Sequence, residues 1–422
     1  MAEIVLPFED ALAVVLREAR KLAPPTETEE LDLLAAAGRV LAEPIAADRD
    51  QPPFDRSTRD GYAVRAADLA SAQPLHVIGT IHAGESWQGT TLQSGEALEI
   101  MTGAPLPAGA DAVLMVEHAT LAQGTLRVEQ GRSLNAGENI VPRGSEAAAG
   151  TRVLPSGRTV GAAEIAVAAG CGQERLQVFA KPKVAIVATG DELVDLAQTP
   201  GPSQIRNSNS YALAGLVRGD GGYAGRLKIA RDTREDLWER LAQGSMWDLM
   251  VLSGGVSMGK HDLVEEMLAE FDAEFFFTGA LIQPGKPVVF GRLPKRGGSA
   301  HPADLPWTGE WTYFFGLPGN PVSTQVCFHL FVAPMLRALA GRSDLSPRFV
   351  EAKLIEDVKG GAKVTRFLPA EMTSAWDAVS VKVVGWQGSG DVAANARGNC
   401  YAVLPAGVEA FHAGETVRVL LR

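Results

Sequence analysis

The sequence predicts a multidomain α/β plus β protein built around a central doubly wound parallel sheet. Three observations predict it. Between residues 181 and 342, short continuous apolar runs alternate with helical segments, the pattern of βα units in a parallel sheet. On both sides of that region the texture changes to short apolar runs broken by Gly and Pro, which reads as small β domains. The length, 422 residues, exceeds what one hydrophobic core normally serves.

The elements follow in order. Residues 7–22 read as an amphipathic helix, with Ala11, Val14, Val15 and Leu22 on a helical period and Pro24-Pro25 ending it. Leu31–Gly38 reads as a second short helix. Residues 48–147 read as an inserted mostly-β domain, with apolar runs at Ala97–Met101, Ala112–Val116 and Thr125–Val128. Residues 159–170 return to an Ala-rich helix, so 1–47 and 148–180 form one helical linker domain.

From Lys183 the chain alternates. Strands are expected at Lys183–Ala188, Gly225–Ile229, Leu249–Leu252, Pro287–Phe290 and Thr312–Phe315. Helices are expected at Ser208–Val217, from Arg231-Asp232-Thr233 to Leu241, at His261–Phe271 and at Val322–Leu339. Pro294–Glu310 reads as a flexible excursion. Residues 343–422, with strands at Val379–Val384, Cys400–Leu404 and Thr416–Leu421, read as a C-terminal β-barrel.

Composition excludes several function classes. With 39 Lys and Arg against 50 Asp and Glu, the net charge of −11 repels polyanions, so no nucleic-acid surface is expected. Cys171, Cys327 and Cys400 are isolated, giving neither a disulfide framework nor a zinc motif. The first ten residues lack the basic and apolar regions of a signal peptide, and no run of about 18 uncharged apolar residues is found, so no membrane span is expected.

The chemistry is concentrated at strand ends. Ligands of open α/β sheets bind beyond the carboxyl ends of the strands, where helices begin. Three such ends carry glycine-bearing turns: TGDEL at 189–193, SGGVS at 253–257 and GLPGNPVS at 316–323. Glycine lets the backbone approach an anion, and amides at a helix start donate to it. Gly190, Asp191, Ser253, Gly254, Gly255, Pro318, Asn320 and Pro321 are therefore candidate binding residues. Glu192, Asp232 and Asp262 are acids that a divalent cation could bridge to a phosphate, with Glu192 and Asp262 the candidate metal ligands. For Asp232, helix capping is an equal alternative. Lys286, between prolines in QPGKP, is a point cation suited to phosphate or another oxyanion. The segments FDRSTRDGYAV and IMTGAP read as polar turns with no role assigned by physics alone.

At these residues the sequence resembles the molybdopterin molybdenumtransferase family, which includes bacterial MoeA proteins and the gephyrin E domain. The resemblance covers nearly the whole chain: FDRSTRDGYAV, IMTGAPLPAGADAVLMVE, NIVPRGSE, ATGDELV, SGGVSMGKHD, QPGKP, GLPGNPVS and GNCYAVLP occur in order. It implies an enzyme of molybdenum cofactor biosynthesis that inserts molybdate into adenylyl-molybdopterin and releases AMP with Mg²⁺. It also implies a cytoplasmic homodimer, with possible contacts to the upstream adenylyltransferase and to downstream cofactor-handling proteins. By motif matching it marks Asp60, Thr102, Glu192, Asp232 and Asp262 as catalytic positions and Arg143 as a substrate-binding one. It places the substrate in the 181–342 domain. Arg366 or Lys363, and Ser389, match loosely to C-terminal oxyanion contacts. Two positions depart from the family pattern: Gln283 replaces a usual Lys, and Ser145-Glu146 replaces an acidic pair.

Two other classes compete. A nucleotide pyrophosphatase on the same central domain would release AMP without molybdate, and a non-catalytic molybdopterin-binding scaffold would not need the three acids.

Overall fold

The computed structural model describes residues 3–71, 73–255, 263–296, 307–361, 363–376 and 378–422, without the side chains of 307–309. Its centre is a six-stranded sheet in the order Tyr223–Arg226, Lys183–Ala188, Leu249–Ser253, Trp307–Leu317, Val289–Arg296, Glu274–Phe277. The first four strands are parallel. Alternation along them feeds two cores. Val184, Ile186, Leu249, Val251 and Phe315 pack with helices Asn209–Gly219 and Pro321–Leu339. Ala185, Val187, Met250, Leu252 and Phe314 pack on the opposite face with helices Arg234–Gly244 and Leu263–Glu270. A strand buried on both faces needs apolar residues at every position, and KVAIVA supplies them after its first residue. Each fully buried Leu or Phe here contributes about 1.5–3 kcal/mol.

The sheet is mixed at one edge. Val289–Arg296 runs antiparallel to both Trp307–Leu317 and Glu274–Phe277. Only ten residues separate the first two, too few for the crossover that parallel pairing requires. The expected excursion at 294–310 is thus partly strand: Pro294 pairs with Trp311 and Arg296 with Trp307, while 297–306 lie outside the described residues.

Other expectations are also corrected. Leu31–Gly38 is not a helix: Thr28–Asp32 is a strand paired with Arg175–Phe179, and turns follow it. Its residues find ladder partners that a short helix could not bury. The strand expected at Gly225–Ile229 is Tyr223–Arg226. Thr233, not Asp232, caps the next helix, its side chain accepting from the Asp236 amide at 3.3 Å. The helix Phe8–Arg20 buries Phe8, Ala11, Val15 and Ala19 in the central core, against the last helix of the α/β unit rather than within a separate linker core. The helix Pro321–Leu339 is long and apolar enough to cross a membrane by length and composition alone, and 89% of its apolar window is buried inside the fold, as in a core helix.

N-terminal to the central unit lies a six-stranded sheet in the order Ala112–Met115, Gly61–Val64, Glu96–Ile100, Leu75–Ile81, Thr125–Val128, Ala119–Ala122. At the C-terminus, strands Thr365–Ser374, Val379–Val383, Phe349–Leu354, Thr416–Leu421 and Cys400–Leu404 close into a five-stranded barrel, because the last also pairs with the first. Ile282–Gln283 joins that barrel in parallel with Thr365–Arg366, so the QPGKP turn bridges barrel and central sheet.

Candidate active site

The carboxyl ends of three parallel strands open into one cavity of about 770 Å³, within the size range of small-molecule sites. The turn after Ala188 contributes Thr189, Glu192 and Leu193; the strand ending at Ser253 contributes Ser253 and Gly254; the 307–317 strand leads to Pro318, Gly319, Asn320 and Pro321. Lys286 closes one side, and Gly390 from the barrel domain another.

The close approach of these loops depends on glycine. Gly254 has φ +92°, and a Cβ there would lie 2.6 Å from the Thr189 carbonyl oxygen. Gly190, at φ +141°, lies directly under the Glu192 carboxylate, which a Cβ would displace. Both positions require a backbone that other residues adopt only with strain.

The two charged side chains of the cavity are uncommitted. Neither the Glu192 carboxylate nor the Lys286 ammonium forms an ion pair or side-chain hydrogen bond among the described residues. Thr189 is 2% exposed and its hydroxyl has no partner among the described residues. Buried polar groups are normally satisfied, so this hydroxyl, beside an exposed acid and a half-buried cation that are free to bind, marks a site open to a polar ligand. Glu192 is one hard oxygen donor. No group of three His, Cys, Asp or Glu among the described residues is placed to hold a metal by itself. Such a set fits a Mg²⁺ held by one or two carboxylates plus ligand phosphates, the usual arrangement for that ion.

Of the residues singled out in the sequence, Glu192, Ser253, Gly254, Lys286, Pro318, Asn320 and Pro321 line this cavity. Asp262 lies outside the described residues. Gly190 and Gly255 lie beside the lining without joining it. Asp191 and Asp232 do not line the cavity: Asp191 Oδ1 accepts from the backbone amide of Asp232 at 3.3 Å. Ser389 reaches the cavity edge through its backbone, its carbonyl accepting from the Val322 amide at 3.0 Å. Arg366 donates to the Lys359 carbonyl at 2.6 Å and is the strand neighbour of Gln283, outside the lining. Lys363 is exposed and also outside it.

Asp60, Thr102 and Arg143 belong to a second cluster, in the N-terminal β region. Asp60 Oδ1 accepts from both the amide and the hydroxyl of Thr102 at 2.7 Å. These bonds, the backbone one foremost, hold the Asp60 carboxyl below its ordinary range. Arg143 donates through Nε to Asp50 at 2.7 Å, and its amide donates to Asp55 at 2.7 Å. Ser145 donates to the Pro142 carbonyl at 2.7 Å, and Glu146 accepts from Arg56 at 2.7 Å.

Sequence reasoning missed Thr189, Arg206, Asn207, Ser208, Asn209 and Gly390 as lining residues. The signal available was the polar run IRNSNS immediately before a helix, a helix-start pattern. For Gly390 there was none.

Family models match the chain in three consecutive blocks: the MoeA N-terminal region (domain I and II) at 6–172, the probable molybdopterin binding domain at 185–338 and the MoeA C-terminal region (domain IV) at 351–421. A molybdopterin molybdenumtransferase of Nostoc sp. is 34% identical, covering 97% of this chain and 92% of that protein. One of Staphylococcus aureus is 32% identical, covering 99% and 95%. The crystal structure of the molybdopterin biosynthesis moeA protein of Pyrococcus horikoshii superimposes with a TM-score of 0.77 at 28% identity, covering 99% of this chain and all of that one. The ordered motifs, the strand-end cavity and full-length similarity together establish that this chain belongs to the molybdopterin molybdenumtransferase family, transferases of molybdenum cofactor biosynthesis.

Proposed function

We propose that the chain inserts molybdate into adenylyl-molybdopterin and releases AMP, as a cytoplasmic homodimer using Mg²⁺. The observation that carries this reading is that Lys286 and Glu192, neither in an ion pair among the described residues, line one strand-end cavity large enough for a nucleotide–pterin. Two polyanions must be brought together. Lys286 and the glycine-turn amides offset the charge of one, and in a partly dry cavity each such donor acts more strongly than in water. Glu192 and, by expectation, Asp262 would hold Mg²⁺, which would supply charge compensation for the phosphates. Ser253 and Asn320 orient the substrate. Asp60 and Thr102 act from the N-terminal β region and complete the cleft across the dimer, while Arg366 and Ser389 flank the molybdate path. No protein thiol is needed, because the sulfurs belong to the substrate; Cys171, Cys327 and Cys400 are all buried.

Single-turnover AMP release from adenylyl-molybdopterin, with and without micromolar molybdate in Mg²⁺, tests the proposal. Molybdate-dependent release with metal on the pterin product is the expected result. Release indifferent to molybdate would establish a pyrophosphatase instead, and tight binding without release a scaffold.

A further inference from the structure

One side chain ties the cavity loops together. Asn209, in the first turn of helix Asn209–Gly219, directs Nδ2 to the Ser253 hydroxyl at 2.9 Å, the Gly319 carbonyl at 2.7 Å and the Thr324 hydroxyl at 3.3 Å. It therefore connects the helix start to the loops after two different strands, 44 and 110 residues away in sequence. The carboxamide orientation is fixed by chemistry, since a carbonyl such as that of Gly319 only accepts and so must face the NH₂ group. Thr324 gives its own hydrogen to the Pro318 carbonyl at 2.6 Å, so its oxygen accepts from Asn209.

The consequence falls on Ser253. Its oxygen is engaged as an acceptor by Asn209, and its hydroxyl has no other partner among the described residues. Ser253 is 3% exposed and lines the cavity. Its hydrogen is left to donate to whatever occupies the cavity.

We infer that Asn209 is a positioning residue: it locks the two strand-end loops at ligand-binding spacing and presents the Ser253 hydroxyl as a donor to an anionic oxygen of the substrate. This rests on the proposed reaction, with adenylyl-molybdopterin as the ligand.

A double-mutant cycle on the full chain tests it, with kcat/KM for molybdate-dependent AMP release and thermal midpoint as readouts. Asn209→Ala and Ser253→Ala are each expected to lower kcat/KM about tenfold, and the double variant no further than the worse single, because one presented hydroxyl is lost in all three. Thr324→Val removes a contact of the same amide at a residue that does not line the cavity. It is expected to shift the midpoint while kcat/KM holds. Should Asn209→Ala fail to fold, Asn209→Ser carries the same comparison. Additive losses in the double variant, or an Asn209→Ala that follows Thr324→Val in losing only stability, would overturn the inference while the reaction stands. A wild-type chain that releases no AMP overturns the reaction itself and this inference with it.

Discussion

The strand-end cavity and the N-terminal polar cluster are both rich in charge, yet they spend it differently. In the N-terminal region Asp60 is bonded to Thr102, Asp50 and Asp55 to Arg143, and Arg56 to Glu146. In the cavity Glu192, Lys286 and the Thr189 hydroxyl have no such partner among the described residues. The first arrangement is stable as it stands, because each carboxylate already accepts hydrogen bonds. The second leaves an exposed carboxylate and a half-buried ammonium uncommitted, and one buried hydroxyl, Thr189, unmet, which is the costly one. The difference teaches that the cavity is the place that awaits a ligand, whereas the N-terminal cluster holds one carboxylate, Asp60, in a fixed and ionised state.

Four substitutions and one titration would break or sharpen that contrast. The largest expected effect is at Glu192. Glu192→Gln should reduce AMP release on the order of a thousandfold, because the cavity's one carboxylate among the described residues is lost; fluorescence titration should still detect AMP binding. An active Glu192→Gln would refute its role.

Gly254→Val comes next. The new side chain meets the Thr189 carbonyl at a positive φ, and the strain should cost about 3 kcal/mol in urea unfolding. An equivalent substitution at Gly84, also at positive φ but with open space around it, should cost less.

Asp60→Asn should lower turnover about tenfold while leaving AMP affinity intact, since Asp60 is not in the cavity wall. Loss of AMP binding would show that Asp60 takes part in holding the nucleotide. The pH dependence has a definite sign. Because the folded carboxyl titrates below its ordinary range, the Thr102 contact contributes fully above the unfolded pKa and is lost only as pH falls through the lower, folded one. The Thr102 amide resonance, followed by NMR on acidification, should report that delayed loss.

The smallest effect is expected at Gln283, exposed beside Arg366. Gln283→Lys should tighten molybdate a few-fold at low salt and by less at high salt, as an exposed charge does. An unchanged affinity would remove this strand pair from the anion path.

Much of this was legible beforehand. KVAIVA and LMVL announce strands buried on both faces because they leave no polar position over most of their length, and TGDEL, SGGVS and GLPGNP mark the cavity because glycine turns at strand ends fall on one edge of a parallel sheet. Local chemistry therefore determined the parallel core, the barrel strands Cys400–Leu404 and Thr416–Leu421, and Glu192 and Lys286 as cavity residues. Only tertiary structure decided the rest. Thr28–Asp32 became a strand because Arg175–Phe179, more than a hundred residues later, offered it a ladder. The Asp191 carboxylate went to the Asp232 backbone amide, and neither residue lines the cavity. Asn209 acquired its place from partners on two other loops, and Gly390 reached the cavity from the barrel domain. Periodicity and turn chemistry act over a few residues, so they show in the chain; pairing and the direction of a side chain depend on which distant segment arrives to meet it, and that is settled only when the whole chain folds.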